Sequence, residues 1–276
     1  MIHQIGSTLF YGDAITNHIA ALDHQLTSWG FETRIYAAKI EGARMAKAEL
    51  DEAYTDVDWT DDVLIYHYSA YCENYRLFRR SRNRKILIYH NITPASFYSP
   101  YSGDMAAVCA RGRDVLPLLS ECDLALAVSE FNRQELVAAG FDPARTAVLP
   151  VLLSLENFKT KRRDEWVYRQ LTAERRTNII SVGRGAPNKA YQDLIKLFAV
   201  YHQTINTHSR LHLVGSRFLP KYDEELEGLI MALKLEHAVT FTGRVSLQCS
   251  RRTTRRAMFS SAPVFTRVFV SRYWRR

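Results

Sequence analysis

The sequence predicts an α/β fold made of two parallel-sheet halves, and three observations predict it. Short runs rich in β-branched residues alternate with segments of helical period, the pattern of βα units on a parallel sheet. A strongly charged stretch interrupts that rhythm near the middle, after which it restarts. At 276 residues, 47% of them apolar, the chain is long enough to bury two cores of ordinary size.

The first strand is expected at Met1 to Gly6, followed by a polar and glycine loop at Ser7 to Asp13. A helix comes next, with Ile15, Ile19, Leu22 and Leu26 on one apolar face and Gly30 as its stop. Strands follow at Glu32 to Ala37, Asp62 to His67, Lys85 to His90, Leu124 to Val128 and Thr146 to Leu149. Helices are expected near Ala43 to Tyr54, Tyr71 to Arg80 and Met105 to Ser120, and Ser129 opens another as an N-cap that Gly140 closes. The domain so built spans residues 1–150. Residues 151–176 are charged and read as a linker with a short helix. A second, partial domain over 177–246 then has strands Asn178 to Val182, Leu211 to Gly215 and Val239 to Thr242, with helices Tyr191 to Asn206 and Asp223 to Lys234.

Composition excludes several classes. No apolar run approaches the ~20 residues of a spanning helix, and no signal-peptide pattern opens the chain. The expectation is a cytoplasmic protein. Cys72, Cys109, Cys122 and Cys249 form no CxxC pair and have no closely spaced histidines, so buried thiols are expected rather than a zinc site or a disulfide framework. The net charge of +8 is uneven: residues 247–276 hold eight arginines and no Asp, Glu or Lys, while the remaining 29 basic residues balance 29 acidic ones. Basicity therefore belongs to the tail, not the body.

The segment Ser181 to Ile195, SVGRGAPNKAYQDLI, carries the clearest chemistry. A strand ending at Gly183 lets backbone approach a ligand, and the helix after it presents free N–H groups and the positive end of its dipole to an anion. Arg184 and Lys189 add two cations, which suits a diphosphate. The loop lacks the G-x-G-x-x-G spacing of a dinucleotide site.

VGRGAPNK followed by DLI, then LHLVGS (Leu211 to Ser216) and VTFTGRVS (Val239 to Ser246), resembles the donor domain of family 4 (group 1) glycosyltransferases of GT-B fold. In the first half, IHQIGSTLFYGDAITNHIAAL, YHNITP (Tyr89 to Pro94) and AVSEFNRQEL (Ala127 to Leu136) resemble bacterial members that build surface polysaccharides. The resemblance implies two Rossmann-like domains facing a cleft. It further implies retaining transfer of a hexosyl group from a nucleotide sugar to a saccharide or lipid-linked acceptor, in polysaccharide or lipopolysaccharide synthesis, with no cofactor and no metal required. By position, Gly183, Arg184 and Lys189 match the family's diphosphate-binding residues, and His90 matches a catalytic-cleft histidine near the transferred sugar. Gly12 and Asp13 fall on the first βα loop, where backbone approaches donor phosphate or acceptor. His18 and His67 read as structural, and Ser129 and Glu130 as helix-capping residues. A peripheral contact with the inner membrane face is a further implication.

Family members continue past the VTFTG strand with a segment S-x-H-E-G-F-x-x-P-x-x-E, whose glutamates hold donor sugar and ribose, and residues 247–276 contain no such segment. Shifting the reading frame of the tail by two bases forces Val from Met258–Phe259 and Leu from Tyr273–Trp274. The same shift permits DVFVSASLHEGFCVPLLEA over Ala257 to Arg276. The tail is therefore expected to be frameshifted, the second domain incomplete and this chain inactive. The competing reading makes the tail's arginines and aromatics a nucleic-acid-binding surface; a milder one makes the chain a Rossmann-type nucleotide sensor.

Overall fold

The computed structural model describes residues 1–10, 13–41, 48–54, 61–152 and 176–243. Gly12, most of the expected linker and the whole arginine-rich tail lie outside them. The chain divides into two compact units, Met1–Ser99 with Gly103–Ser154, and Pro100–Ser102 with Leu155–Arg276.

The first unit is a seven-stranded sheet in the order β3-β2-β1-β4-β5-β6-β7, every pairing parallel. Its strands are β1 (Ile2–Phe10), β2 (Thr33–Glu41), β3 (Ala48–Leu50), β4 (Val63–Tyr68), β5 (Arg84–Tyr89), β6 (Leu124–Ala127) and β7 (Thr146–Val148). The helices are α1 (Ala14–Ser28), α2 (Tyr75–Arg80), α3 (Gly103–Val115) and α4 (Glu130–Ala138). The strand order reverses between β1 and β4. In sheets of this kind ligands bind outside the carboxyl ends of the strands at such a switch point.

Two expected elements differ from the observed ones. Ser7 to Phe10 continue β1 rather than opening the loop, because Thr8, Leu9 and Phe10 find partners in Lys39, Ile40 and Glu41 of a correspondingly longer β2. Within the stretch expected to be helical at Ala43 to Tyr54, Ala48–Leu50 instead pair as a parallel edge strand with Ile35, Tyr36 and Ala37, and Asp51–Ala53 form one 3-10 turn. A free strand edge offers hydrogen bonds that a short polar helix does not.

The helix boundaries follow local chemistry. Asp13 caps α1 by accepting from the backbone N–H of Ile15 at 3.0 Å and of Thr16 at 3.4 Å. Gly30, at φ 89°, ends it. Ser129 accepts from the N–H of Asn132 and so starts α4, and Pro117 sits where α3 tightens into the 3-10 turn Leu116–Leu119.

Strand register decides which side chains share a face. Ile2, Gln4 and Gly6 of β1 lie beside Val63, Ile65 and His67 of β4, and Ile65 and His67 lie beside Ile86 and Ile88 of β5. On this face Ile2, Ile65, Ile88 and Leu26 form one buried cluster, with Leu22, Val63 and Ile86 against it. The same face carries polar Gln4, level with Ile65, and His67, level with Ile88, with His90 just past the end of β5.

The second unit contains a parallel sheet in the order β10-β9-β8: β8 (Thr177–Val182), β9 (Ser209–Val214) and β10 (Val239–Gly243). Helix α5 (Tyr191–Thr204) follows β8, and α6 (Pro220–Ala232) follows β9. Among the described residues no helix is long and apolar enough to cross a membrane. Cys72 is half-buried, Cys109 and Cys122 are buried, and all three are free thiols.

Candidate functional site

In the second unit the chemistry gathers at the carboxyl ends of β8, β9 and β10. The Gly183 N–H donates to the carbonyl of Val214, Gly215 N–H to that of Gly243, and Gly185 N–H to that of Ser216. Backbones approach so closely here that a Cβ on Gly215, whose φ is +155°, would sit 1.7 Å from the Gly183 carbonyl oxygen. Only glycine fits such a position. The Tyr191 hydroxyl, at the first turn of α5, donates to that same carbonyl at 2.9 Å. Burial pushes the Tyr191 phenol up to about 12, so it remains a neutral donor.

The loop from Gly183 to Ala190 presents the expected cations. Lys189 folds back along Gly183, with Cδ and Cε 4.0 Å from where a Cβ on that residue would stand. Arg184 is exposed and lies over the ring of Phe218, 5.1 Å from its centroid. Among the described residues Arg184 joins no ion pair. Arg217, by contrast, is committed to Asp223 at 3.1 Å and Glu227 at 2.7 Å. Ala190, the N-cap of α5, adopts φ 52° and offers no capping side chain. An uncapped helix start beside two cations is suited to an anion.

In the first unit His90 follows the end of β5, its N–H donating to Tyr68. It is buried beside His67 and His18. His90 Nε2 lies 3.0 Å from His67 Nδ1, and His67 Nε2 lies 3.0 Å from Gln4 Oε1. Burial, then the neighbouring His90 and His18, hold the His67 imidazole well below its ordinary range, and burial lowers that of His18. Asn91, in the left-handed region at φ 74°, turns the chain after His90. Glu135 braces that turn by accepting from Asn91, Asn132, Arg113 and the Tyr89 hydroxyl, while Arg113 also donates to the carbonyl of Ile92.

Asp13 is a capping residue, and Gly12 lies outside the described residues. Glu130 pairs with Arg133 on α4, and Ser129 is the cap of that helix. The sequence reading missed the Glu135–Arg113 pair and the links from His90 through His67 to Gln4. Strand alternation on β1 and β4 could have placed Gln4 and His67 on one face, but not their pairing. Among the described residues no group of three metal-ligating side chains gathers.

Residues 162–254 match the family model described as glycosyl transferases group 1. The chain also superposes on HepE from Anabaena, solved in complex with UDP, with a TM-score of 0.63 at 15% identity over 89% of this chain and 69% of that one. The fold is GT-B. WaaG, a glycosyltransferase involved in lipopolysaccharide biosynthesis, gives 0.62 at 12% identity over 91% and 72% of the two chains. Sucrose-phosphate synthase from Thermosynechococcus elongatus gives 0.63 at 14% identity over 90% and 72%. No curated protein matches the chain in sequence. The Gly183–Ala190 loop of this GT-B chain lies inside the segment that the group 1 model covers.

Proposed function

We propose that the chain derives from a glycosyltransferase that moves a hexosyl group, with retention, from a nucleotide sugar to a saccharide or lipid-linked acceptor. The observation that carries this reading is the Gly183–Ala190 loop. It combines backbone-tight glycines, an uncapped helix start, and Arg184 and Lys189, within the segment matching group 1 glycosyl transferases. The departing nucleoside diphosphate gains negative charge as the glycosidic bond breaks, and fixed cations stabilise that gain without a metal. HepE, solved with UDP and with UDP-glucose, makes a uridine diphosphate sugar the first donor to test. His90 meets the transferred sugar, and the Asp13 turn lies near the acceptor. Polysaccharide or lipopolysaccharide synthesis at the cytoplasmic face of a membrane is the setting this reading suggests.

The arginine-rich stretch after Ser246 is, in this proposal, a shifted frame. The chain as written lacks the acidic pair that holds donor sugar and ribose, and its transfer activity is lost. The test is sugar release and transfer from UDP-glucose by the 276-residue chain and by a frame-restored form, each with and without EDTA. Activity only in the restored form, unchanged by EDTA, is expected; equal turnover of the two forms contradicts the proposed inactivity.

A further inference from the structure

The histidine cluster in the first unit is more than a buried polar patch, because its hydrogen bonds have a direction. Gln4 donates its amide to the Ile19 carbonyl of α1 at 3.5 Å. Turning the amide over would set two oxygens against each other there, so Gln4 Oε1 faces His67. The Gln4 oxygen can only accept, so His67 Nε2 carries a hydrogen. The His67 imidazole stays neutral, so its Nδ1 is bare and accepts in turn from His90 Nε2–H. The two rings lie within 23° of coplanar with centroids 5.3 Å apart, the arrangement of an in-line N–H···N bond rather than of stacked faces. His18 closes the cluster, its ring edge-on to His67 at 72° and to His90 at 85°. Neither nitrogen of its buried ring has a hydrogen-bond partner among the described residues.

We propose that Gln4 and His67 are positioning residues that hold His90 in its Nε2–H tautomer, with the acceptor lone pair at Nδ1. The relay runs from His90 to His67 to Gln4 to the Ile19 carbonyl. It bridges β1 and β4 at the point where the strand order reverses, and so aligns His90 at the ligand-binding end of the sheet. It rests on the reading that His90 meets the transferred sugar: the relay fixes the plane of the ring that would meet it, and the aligned dipoles strengthen one another. Of its members, His67 reads in the sequence as structural.

The test is the imidazole 15N spectrum of the full chain, which separates protonated from bare ring nitrogens at each histidine. A bare Nδ1 and a protonated Nε2 are expected at both His67 and His90. In H67F, which keeps the bulk but removes the acceptor, His90 is expected to lose its single tautomer. H67N, whose amide oxygen reaches toward the former Nδ1 position, restores it. Q4L is expected to release the tautomers of both rings. A tautomer mixture or an Nδ1-protonated His90 in the parent chain overturns the relay, as does a His90 signal unchanged in H67F. The spectrum needs no ligand, so failure of the glycosyltransferase reading in a binding or transfer assay leaves this result standing on its own.

Discussion

At the scale of single residues, close packing at strand ends sets the strictest demands. A methyl group on Gly215 would stand 1.7 Å from the Gly183 oxygen, and neither backbone can move without breaking the Gly183–Val214 and Gly215–Gly243 bonds. Gly215→Ala is therefore expected to destabilise the second unit by about 3 kcal/mol or more, read from urea denaturation followed by circular dichroism. A loss under about 0.5 kcal/mol would mean that the loop is not held as described. The placement of Arg184 and Lys189 on the loop after β8 and of His90 just past β5 was legible from the strand and loop pattern, whereas a role for His90 came only from the resemblance. Glu135 was not legible: it looks like one more acid on an amphipathic helix, and only the fold brings Asn91, Arg113 and Tyr89 around it.

At the scale of elements, helix starts and stops were read well where a single side chain decides them. Asp13, Ser129, Gly30 and Gly140 each act within one turn, so their signal is local. The extent of β1 and the existence of β3 were not legible, because Ser7 to Phe10 and Ala48–Leu50 are strands only by virtue of β2 alongside them. Tertiary pairing overrides local period in such cases. Ser129→Ala tests the division between capping and function. Loss of the Asn132 N–H bond is expected to lower stability by about 1 kcal/mol without altering affinity for UDP. A large loss of UDP affinity at unchanged stability would give Ser129 a role in the site.

At the scale of the whole molecule, the two parallel sheets follow from the βα rhythm and its restart, which are features of period, whereas the GT-B fold was implied only by the resemblance of the motifs. Buried histidines add a dependence on pH that neither feature reveals. Burial lowers the imidazoles of His18, His67, His202 and His212 below their ordinary 6.5. The unfolded chain then binds more protons than the folded one as pH falls past 6.5, so stability is full above that value and declines below it. Each site contributes up to about 1.4 kcal/mol per pH unit within its window. Chemical denaturation at pH 7.5, 6.5 and 5.5 should show a falling midpoint, and a flat profile would mean that these rings are not buried neutral. The central claim, that the Gly183–Ala190 loop holds a sugar nucleotide's diphosphate, is tested most directly by titrating UDP calorimetrically into the 276-residue chain and into Arg184→Ala and Lys189→Ala. Saturable binding that weakens about tenfold or more in each variant is expected; no binding by the parent chain, or equal affinity in all three, would contradict it.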